Sequence, residues 1–356
     1  MAGLAWRNVR RVLAARLDNA GDVLMCTPAI LAIRRALPDT HLTLWTSPGG
    51  ASAAPLVPGI DDVLVTRALW QDLGHLPFDA EREWALIKLL ARRRYDAAII
   101  FTSFRQSPHP AAYACYLAGI PCRAGQSREF AGSVLSQAVD PPPDAVHQVE
   151  RNLHLIRALG FEPVASDLTV CISPEARAVL ARKLRDRRVS EGIPFVLVHP
   201  GASCPSRRYP VDRFAEVCRS LHRALGWPIV ISGGPTDRDI AQAIVKAADG
   251  VLTLAGETTF EELAALVERA TVLITNNTVT MHLADAVGTP EVVLFAGTEL
   301  EDQWRPRRTR ARLLRRPTVC HPCYRFDCPF GLPCLDIPPR EVATAVLDLI
   351  GGVPWS

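Results

Sequence analysis

A carboxylate stands where the first apolar run of the chain meets a helical pattern. Residues 12–17 are mostly apolar, and Asp18-Asn19-Ala20-Gly21-Asp22 separates them from the helical repeat VLMCTPAILAIRRAL. Gly21 permits a tight turn, and Asp22 stands at the helix start, where a carboxylate interacts favourably with the helix dipole. Two roles are open to Asp22 from this pattern: a helix cap, or a proton acceptor in catalysis.

Two later loops combine small residues, hydroxyl groups and a cation, a mixture that suits a diphosphate. One loop, His199-Pro200-Gly201-Ala202-Ser203, precedes Arg207, and backbone N–H groups with a guanidinium match phosphate oxygens. The other, residues 275–282, reads Thr-Asn-Asn-Thr-Val-Thr-Met-His at a predicted helix start. The first of these loops is also compatible with a solvated surface, and His282 alone is more typical of a structural histidine. The earlier motif Asp18–Asp22 is not the G-x-G-x-x-G fingerprint of dinucleotide-binding dehydrogenases.

Four of the ten cysteines form a cluster with the spacing C-x₂-C-x₄-C-x₅-C, namely Cys320, Cys323, Cys328 and Cys334. This spacing could close on zinc or hold an iron–sulfur cluster. A structural role with reduced thiols or a disulfide is the alternative that we favour, and we do not expect these thiols to be catalytic. Ten cysteines are too few for a disulfide scaffold in a chain of 356 residues.

Strand and helix patterns alternate along the chain, which predicts doubly wound parallel sheets with helices on both faces. In the first half, strands are predicted at residues 12–17, 41–46, 62–66 and 95–101, with helices after the first strand and at 81–94 and 146–159. In the second half, strands are predicted at 195–199, 228–232, 252–254, 272–275 and 291–295, with helices at 211–225, 237–248, 259–270 and 279–287. Ligands bind beyond the carboxyl ends of such strands, so we expect a nucleotide cleft between two facing domains.

Length and composition predict two globular domains. A chain of 356 residues exceeds the size of one hydrophobic core, and we place the domains at residues 1–165 and 166–356, the latter including the Cys-rich segment 320–334. The content of 48% hydrophobic and 22% charged residues excludes disordered and collagen-like chains. The net charge of +3, with grouped arginines, suits anionic small molecules or a membrane surface better than nucleic acid. No apolar run reaches 18 residues, so we expect a cytoplasmic protein in peripheral contact with the inner membrane.

Four segments together resemble glycosyltransferase family 9, the ADP-heptose:lipopolysaccharide heptosyltransferases. RLDNAGDVLMCTPAILAIRRALP is similar to the amino-terminal signature of this family. HPGA…RRYP…F, GETTFEELAALV and NNTVTMHLADAVGTPEVVLFAG are similar to its nucleotide-binding signatures. Each segment alone is weak evidence, but the four occur in the family's order over about residues 12–300.

The resemblance implies a GT-B fold of two Rossmann-like domains, an amino-terminal acceptor domain and a carboxyl-terminal donor domain. It implies inverting transfer of heptose from ADP-heptose to an acidic core glycan, with Asp22 as the catalytic base. The implied donor-binding residues are Ser203, Arg207, Asp237, Asn277, Thr278, Val279, Thr280 and His282. Arg207 replaces the family's usual Lys and would still neutralise the departing diphosphate.

Arg105 and Arg123 are expected to contact the acceptor. We expect no required cofactor, since arginine and helix amides can stabilise the leaving group. Stimulation by a divalent cation and a structural metal at the four clustered cysteines stay open. The expected partners are a nucleotide diphosphate sugar, a lipopolysaccharide-type glycan and the membrane surface, without nucleic acid.

The sequence departs from the family pattern at the diphosphate loop. Where the family usually reads Asn-Asp-Thr-Gly-Pro-Met-His, Asn277 replaces an acid and Val279 replaces a glycine. A β-branched Val279 disfavours a positive φ. These departures leave open another nucleotide-sugar donor or a catalytically silent nucleotide-binding partner. A protein acceptor and, more distantly, a UDP-sugar epimerase are separate alternatives.

Overall fold

In the computed structural model, which describes residues 6–72 and 74–351, the chain divides between Cys171 and Ile172. The predicted boundary was between residues 165 and 166. The outer ends of both predicted domains, residues 1–5 and 352–356, lie outside the described residues. Each unit is built around one sheet of six strands.

The first unit alternates strands and helices around a parallel sheet with the strand order β3-β2-β1-β4-β5-β6. Its strands are β1 Arg11–Arg16, β2 His41–Thr46, β3 Asp62–Val65, β4 Ala97–Ile100, β5 Cys122–Gln126 and β6 Gln137–Val139. Its α-helices are α1 Ala20–Leu24, α2 Thr27–Ala36, α3 Pro48–Ala51, α4 Ala80–Arg93, α5 His109–Leu117 and α6 Gln148–Ala158. Short 3₁₀ turns lie at Trp6–Asn8, Ala54–Leu56 and Leu69–Gln71.

The second unit has the same architecture, with the strand order β12-β11-β10-β7-β8-β9 and parallel pairing throughout. Its strands are β7 Val196–His199, β8 Ile229–Ile231, β9 Val251–Thr253, β10 Val272–Asn276, β11 Glu291–Leu294 and β12 Ala311–Leu314. Its α-helices are α7 Pro174–Asp186, α8 Val211–Leu225, α9 Arg238–Ala247, α10 Phe260–Arg269, α11 Val279–Val287, α12 Glu301–Trp304 and α13 Pro339–Ile350. Short 3₁₀ turns lie at Pro205–Arg207, Pro235–Asp237 and Pro333–Leu335.

Buried apolar strands, covered by helices that are apolar on one face, account for the formation of both sheets. All four residues of β4 and all four of β7 are buried, as expected for parallel strands that helices cover on both faces. Helix α8 places Phe214 and Leu221 against Ile229 and Ile274 in the core of the second unit. The prediction of two doubly wound parallel sheets is therefore confirmed.

None of the described helices is both long enough and apolar enough to cross a bilayer.

Each sheet reverses its winding at one point, between β1 and β4 in the first unit and between β7 and β10 in the second. Ligands of doubly wound sheets bind beyond the carboxyl ends of the strands at this switch point. The segments after β1 and β4 carry Asp22, which lies in the short helix α1, and Arg105. The segments after β7 and β10 carry Arg207, which ends a 3₁₀ turn, and His282, which lies in the first turns of α11. The fold thus brings each set of polar loops from the sequence to a switch point.

Candidate active site

Arg16, the last residue of β1, holds two carboxylates of the loop that follows. Its guanidinium is fully buried, with Nε 2.9 Å from Asp18 Oδ2 and Nη2 2.7 Å from Asp22 Oδ1. Nη2 also donates to Ser103 Oγ in the loop after β4, at 2.6 Å. Because a buried charge needs compensating partners, this cation fixes the positions of both carboxylates at the switch point.

The charges of this cluster depend on one another. Burial alone would lower the pKa of Arg16, but its ion pairs with Asp18 and Asp22 raise it above the ordinary value. Burial raises the pKa of Asp18, and the neighbouring charge of Asp22 acts in the same direction, whereas Arg16 and a hydrogen bond from Gln106 oppose the shift. Arg16 therefore stays cationic, and it is the reason that two acids can lie so close together.

Neighbouring loops hold Asp18 from two sides. Gln106, after β4, donates from Nε2 to Asp18 Oδ1 at 2.6 Å. Ser47, after β2, donates from its hydroxyl to the backbone carbonyl of Asp18 at 2.6 Å. Gly50 lies against the same loop, and a Cβ there would come within 2.1 Å of Thr46 Oγ1 and 2.9 Å of the Asp18 carbonyl oxygen. Glycine at position 50 is needed for this close packing.

Asp22 caps the start of α1 and also pairs with Arg16. Its Oδ2 accepts the backbone N–H of Asn19 at 3.3 Å, a helix-capping contact, while Oδ1 faces Arg16. The side chain keeps 19% of its surface exposed, so capping and the ion pair leave the carboxylate accessible. The geometry is compatible with Asp22 as a proton acceptor.

The two predicted acceptor contacts lie in different surroundings. Arg105 is exposed in the loop after β4, with a positive φ of 61°. Arg123 is buried, and its guanidinium donates to backbone carbonyls of the surrounding chain, among them Val134 at 2.7 Å and Ile120 at 2.5 Å. Because its guanidinium is engaged by backbone carbonyls, Arg123 is less accessible than Arg105, and its contact with the acceptor stays a prediction.

In the second unit, Arg207 joins a polar cluster with the loop that follows β11. Its Nε donates to Thr298 Oγ1 at 3.1 Å, and its Nη2 lies 2.5 Å from Glu299 Oε1. Asn277 donates from Nδ2 to Glu299 Oε2 at 3.4 Å and accepts the backbone N–H of Ala296 at 3.1 Å. An amide at position 277 can donate to Glu299, whereas the acid that is usual in the family would repel it.

The loop after β7 packs closely on Asp237. A Cβ on Gly201 would lie 2.5 Å from Asp237 Oδ2, and the same oxygen accepts the backbone N–H of Gly234 at 2.8 Å. Asp237 is buried, so it supports the loop from beneath, whereas Ser203 is exposed at the loop surface. Of these two predicted donor contacts, Ser203 is the one presented to solvent.

The diphosphate loop runs from β10 into α11. Thr278 is the N-cap residue, and Val279 begins the helix without a positive φ, so the expected conflict with a β-branched residue does not arise. Thr280 is buried, with Oγ1 2.6 Å from Thr275 Oγ1, which turns its hydroxyl away from the surface. His282 is buried beside Trp304, with ring centroids 6.4 Å apart. The start of α11 therefore offers backbone N–H groups more readily than the Thr280 hydroxyl.

The Cys-rich segment braces the two loops that carry Arg207 and Glu299. The backbone carbonyl of Phe326 accepts the N–H of Ser206 at 3.0 Å. The N–H groups of Cys323 and Tyr324 donate to the carbonyls of Gly297 and Thr298 at 3.0 and 2.9 Å. The segment thus helps to hold the Arg207 cluster in place.

The four clustered cysteines do not form a ligand set in this fold. All four are free thiols, and within residues 6–72 and 74–351 no group of three or more His, Cys, Asp or Glu side chains is arranged to hold a metal ion. Backbone contacts rather than thiol ligation connect this segment to the loops beside it.

Some residues that contact Asp22 or Arg207, or that hold their loops, were not identified as site residues from the sequence. Arg16 was visible as the single cation of the first apolar run, and Asp18 stood in the loop already singled out. Gln106, Thr298 and Glu299 carried no signal beyond their positions after predicted strands.

Two doubly wound, six-stranded parallel sheets in one chain are the architecture of GT-B glycosyltransferases, and polar loops lie at both switch points. The family model for glycosyltransferase family 9 (heptosyltransferase) matches residues 83–332. The chain belongs to this family and is a glycosyltransferase.

Individual relatives agree with this assignment. Lipopolysaccharide heptosyltransferase 2 of Salmonella typhimurium is 26% identical over 354 residues, which cover 96% of this chain and 98% of that protein. A family 9 glycosyl transferase from Veillonella parvula superposes with a TM-score of 0.78 at 20% identity, covering 96% and 97% of the two chains. The Escherichia coli ADP-heptose lps heptosyltransferase II superposes with a TM-score of 0.73 at 21% identity, covering 96% and 98%. The chain is similar to lipopolysaccharide heptosyltransferases over nearly its whole length.

The stability of the second unit should depend on pH through His199. Burial lowers the pKa of His199 from 6.5 to about 4, although Asp237 opposes the shift. Between these values the unfolded chain binds a proton that the folded chain does not, so stability should fall as the pH drops from about 6.5 to about 4. The full effect is up to about 3 kcal/mol. Urea unfolding over this pH range measures it.

His199→Asn, which does not titrate, serves as the comparison for this pH series. The difference in unfolding free energy between the wild type and the variant should change with pH in this window only. A constant difference would contradict a neutral, buried His199.

Proposed function

We propose that this glycosyltransferase transfers a heptose from ADP-heptose to an acidic, lipopolysaccharide-type glycan, with inversion at the anomeric carbon. The observation that carries the proposal is the held carboxylate of Asp22 at one switch point, matched by the Arg207 cluster and the start of α11 at the other. The names of the relatives support it, since one is an ADP-heptose lps heptosyltransferase and another a lipopolysaccharide heptosyltransferase.

The proposed reaction is a single displacement. Asp22 accepts the proton of an acceptor hydroxyl, and the oxygen forms a bond to the anomeric carbon of the donor. The bond between that carbon and the β-phosphate oxygen breaks, and its electron pair leaves with ADP. Attack from the face opposite to the leaving group inverts the configuration.

Arg16 is a positioning residue in this proposal. It contacts Asp22 through Nη2 and leaves part of the carboxylate exposed. The ion pair orients the Asp22 carboxylate. Positioning is therefore the contribution that the geometry supports, because a base acts only when it lies within hydrogen-bond reach of its proton.

The second unit would bind the diphosphate of the donor. The Arg207 guanidinium can donate paired hydrogen bonds to phosphate oxygens, and the first N–H groups of α11 add further donors. Glu299 neutralises Arg207 in the structure, so a diphosphate has to compete with this carboxylate. Ser203 and Thr278 are proposed as further contacts at the rim of the same loops.

The first unit would bind the acceptor. Arg105 is exposed in the loop after β4, and its cation suits an anionic glycan. We propose that the enzyme acts at the cytoplasmic face of the inner membrane, where a lipid-linked acceptor is presented. No cofactor is required in this mechanism, and a divalent cation could add to the neutralisation of the leaving diphosphate.

Asp22→Asn should lower the turnover number for transfer by about 100- to 10,000-fold, because the amide cannot accept the proton. The affinity for ADP should stay within a few-fold of the wild type, since the donor is bound by the second unit. Coupled detection of released ADP measures turnover, and calorimetry measures affinity. Asp39→Asn, at an exposed acid of the same unit, is the matched control and should be as active as the wild type. Unchanged turnover in Asp22→Asn would eliminate this residue as the base.

Arg207 and Glu299 should affect ADP binding in opposite directions. Arg207→Gln should weaken ADP binding by about tenfold or more, because a charge-assisted hydrogen bond to phosphate is lost. Glu299→Gln should strengthen it several-fold, because the competing negative charge is removed while the amide oxygen can still accept from Arg207.

The matched control for these two variants is Arg223→Gln, at an exposed arginine in the last turn of α8. Its ADP affinity should equal that of the wild type. If Arg207→Gln bound ADP normally, the diphosphate role of Arg207 would be wrong. If Glu299→Gln bound ADP more weakly, Glu299 would be a supporting contact and not a competitor.

A further inference from the structure

Arg208 places a second guanidinium at the loop that follows β7. Its Nε donates to the backbone carbonyl of Ala202 at 2.8 Å, which holds the side chain against this loop. Within residues 6–72 and 74–351, neither terminal nitrogen of Arg208 donates a hydrogen bond to the protein. The side chain is half-buried, so the four N–H groups on these nitrogens remain available to a ligand.

The neighbouring cation, Arg207, is already engaged by the loop after β11. Its Nε donates to Thr298 Oγ1 at 3.1 Å, and its Nη2 lies 2.5 Å from Glu299 Oε1. The charges of Arg207 and Glu299 therefore cancel at short range. A diphosphate carries several negative charges, so its binding at these loops calls for a cation that no carboxylate neutralises.

The backbone is fixed on both sides of these two consecutive arginines. Before them, the N–H of Ser206 donates to the backbone carbonyl of Phe326 at 3.0 Å. After them, the N–H of Tyr209 donates to Oδ1 of the buried Asn276 at 3.1 Å. The two side chains leave this fixed segment in different directions, the first toward the loop after β11 and Arg208 toward the loop after β7.

Asn276 also ties the loop beside Arg208 to the start of α11. Its Nδ2 donates to the backbone carbonyls of Pro200 at 2.9 Å and Gly201 at 3.4 Å. Asn276 is the last residue of β10, and α11 begins three residues later at Val279. The loop that Arg208 contacts and the first N–H groups of α11 are therefore held together at the switch point of the second sheet.

The acids at these loops do not pair with Arg208. Asp237 lies against Gly201, so its carboxylate offsets part of the positive charge, but it forms no ion pair with Arg208. Asp212, in the first turn of α8, is exposed and forms no ion pair with Arg208 either. Of the two consecutive arginines, Arg208 is thus the one that no acid of residues 6–72 and 74–351 contacts.

We propose that Arg208 binds the diphosphate of the donor and supplies the positive charge that Glu299 neutralises on Arg207. The terminal nitrogens of its guanidinium can donate paired hydrogen bonds to phosphate oxygens. The N-terminus of α11, on the adjacent loop, adds N–H donors and the positive end of a helix dipole. The inference rests on the proposed function for the identity of the ligand, and it adds Arg208 to the donor site.

Arg208→Gln should weaken ADP binding by about 10- to 100-fold, because charge-assisted hydrogen bonds to phosphate are lost. Adenosine, which has no phosphate, should bind this variant as it binds the wild type. Arg208→Lys should bind ADP with an affinity between those of the wild type and Arg208→Gln, because it keeps the charge and loses the paired geometry. Calorimetric titration of the full chain with ADP and with adenosine measures these affinities.

Arg219→Gln is the matched control. Arg219 also donates to a backbone carbonyl, that of Ala247 at 2.8 Å, but it lies on α8 and outside these loops. Its ADP affinity should equal that of the wild type. Urea unfolding of the variants should give midpoints close to that of the wild type, which excludes misfolding as the cause of a loss.

Two results would overturn the role of Arg208. One is an ADP affinity of Arg208→Gln equal to that of the wild type, or a wild type that binds no nucleoside diphosphate. The other is an equal loss of affinity for ADP and adenosine, which would show that Arg208 only supports the loop through Ala202.

Failure of the proposed function would look different. Because the contact is with phosphate and not with the base, a chain that prefers UDP should show the same loss with UDP in Arg208→Gln. A chain whose ADP binding depends on Arg208 but that transfers no heptose would refute the proposed function and leave the phosphate contact standing.

Discussion

The buried guanidinium of Arg16 is the constraint on which the switch point of the first sheet depends. A cation with no exposed surface is tolerated only when nearby anions compensate its charge, and breaking a buried pair costs about 3–5 kcal/mol. Asp18, Asp22 and Ser103 supply those partners from the loops after β1 and β4. The switch point of the first sheet is therefore organised around one positive charge, and the orientation of Asp22 follows from it.

The sequence patterns located the central strands of both sheets and the edge strands β3 and β9, but they did not predict three other strands. β1, β4, β7 and β10 are apolar runs because helices cover both of their faces, so their signal is strong. β5, β6 and β12 were not predicted, since the first contains arginine and glycine, the second is a three-residue edge strand, and the third lies in a basic stretch. Helix α5 was not predicted, because its apolar residues do not concentrate on one face of the helix.

Site residues were predictable where strand ends meet loops and unpredictable where contacts are distant in sequence. The loops that carry Asp22, Arg207 and Thr278 were identified because small and polar residues follow apolar runs. Glu299 was missed, since its contact with Arg207 joins residues 92 positions apart. The surroundings of Arg123 could not be predicted for the same reason, because the sequence does not reveal that backbone carbonyls surround its side chain. Val279 replaces a glycine without strain because it starts a helix.

The central claim is that the second unit is built for an adenosine diphosphate sugar. Calorimetric titration of the purified chain with ADP, UDP and GDP under one set of conditions tests it most directly. The account predicts that ADP binds, and that it binds more tightly than UDP or GDP. Preference for UDP or GDP, or no binding of any of the three, would contradict it.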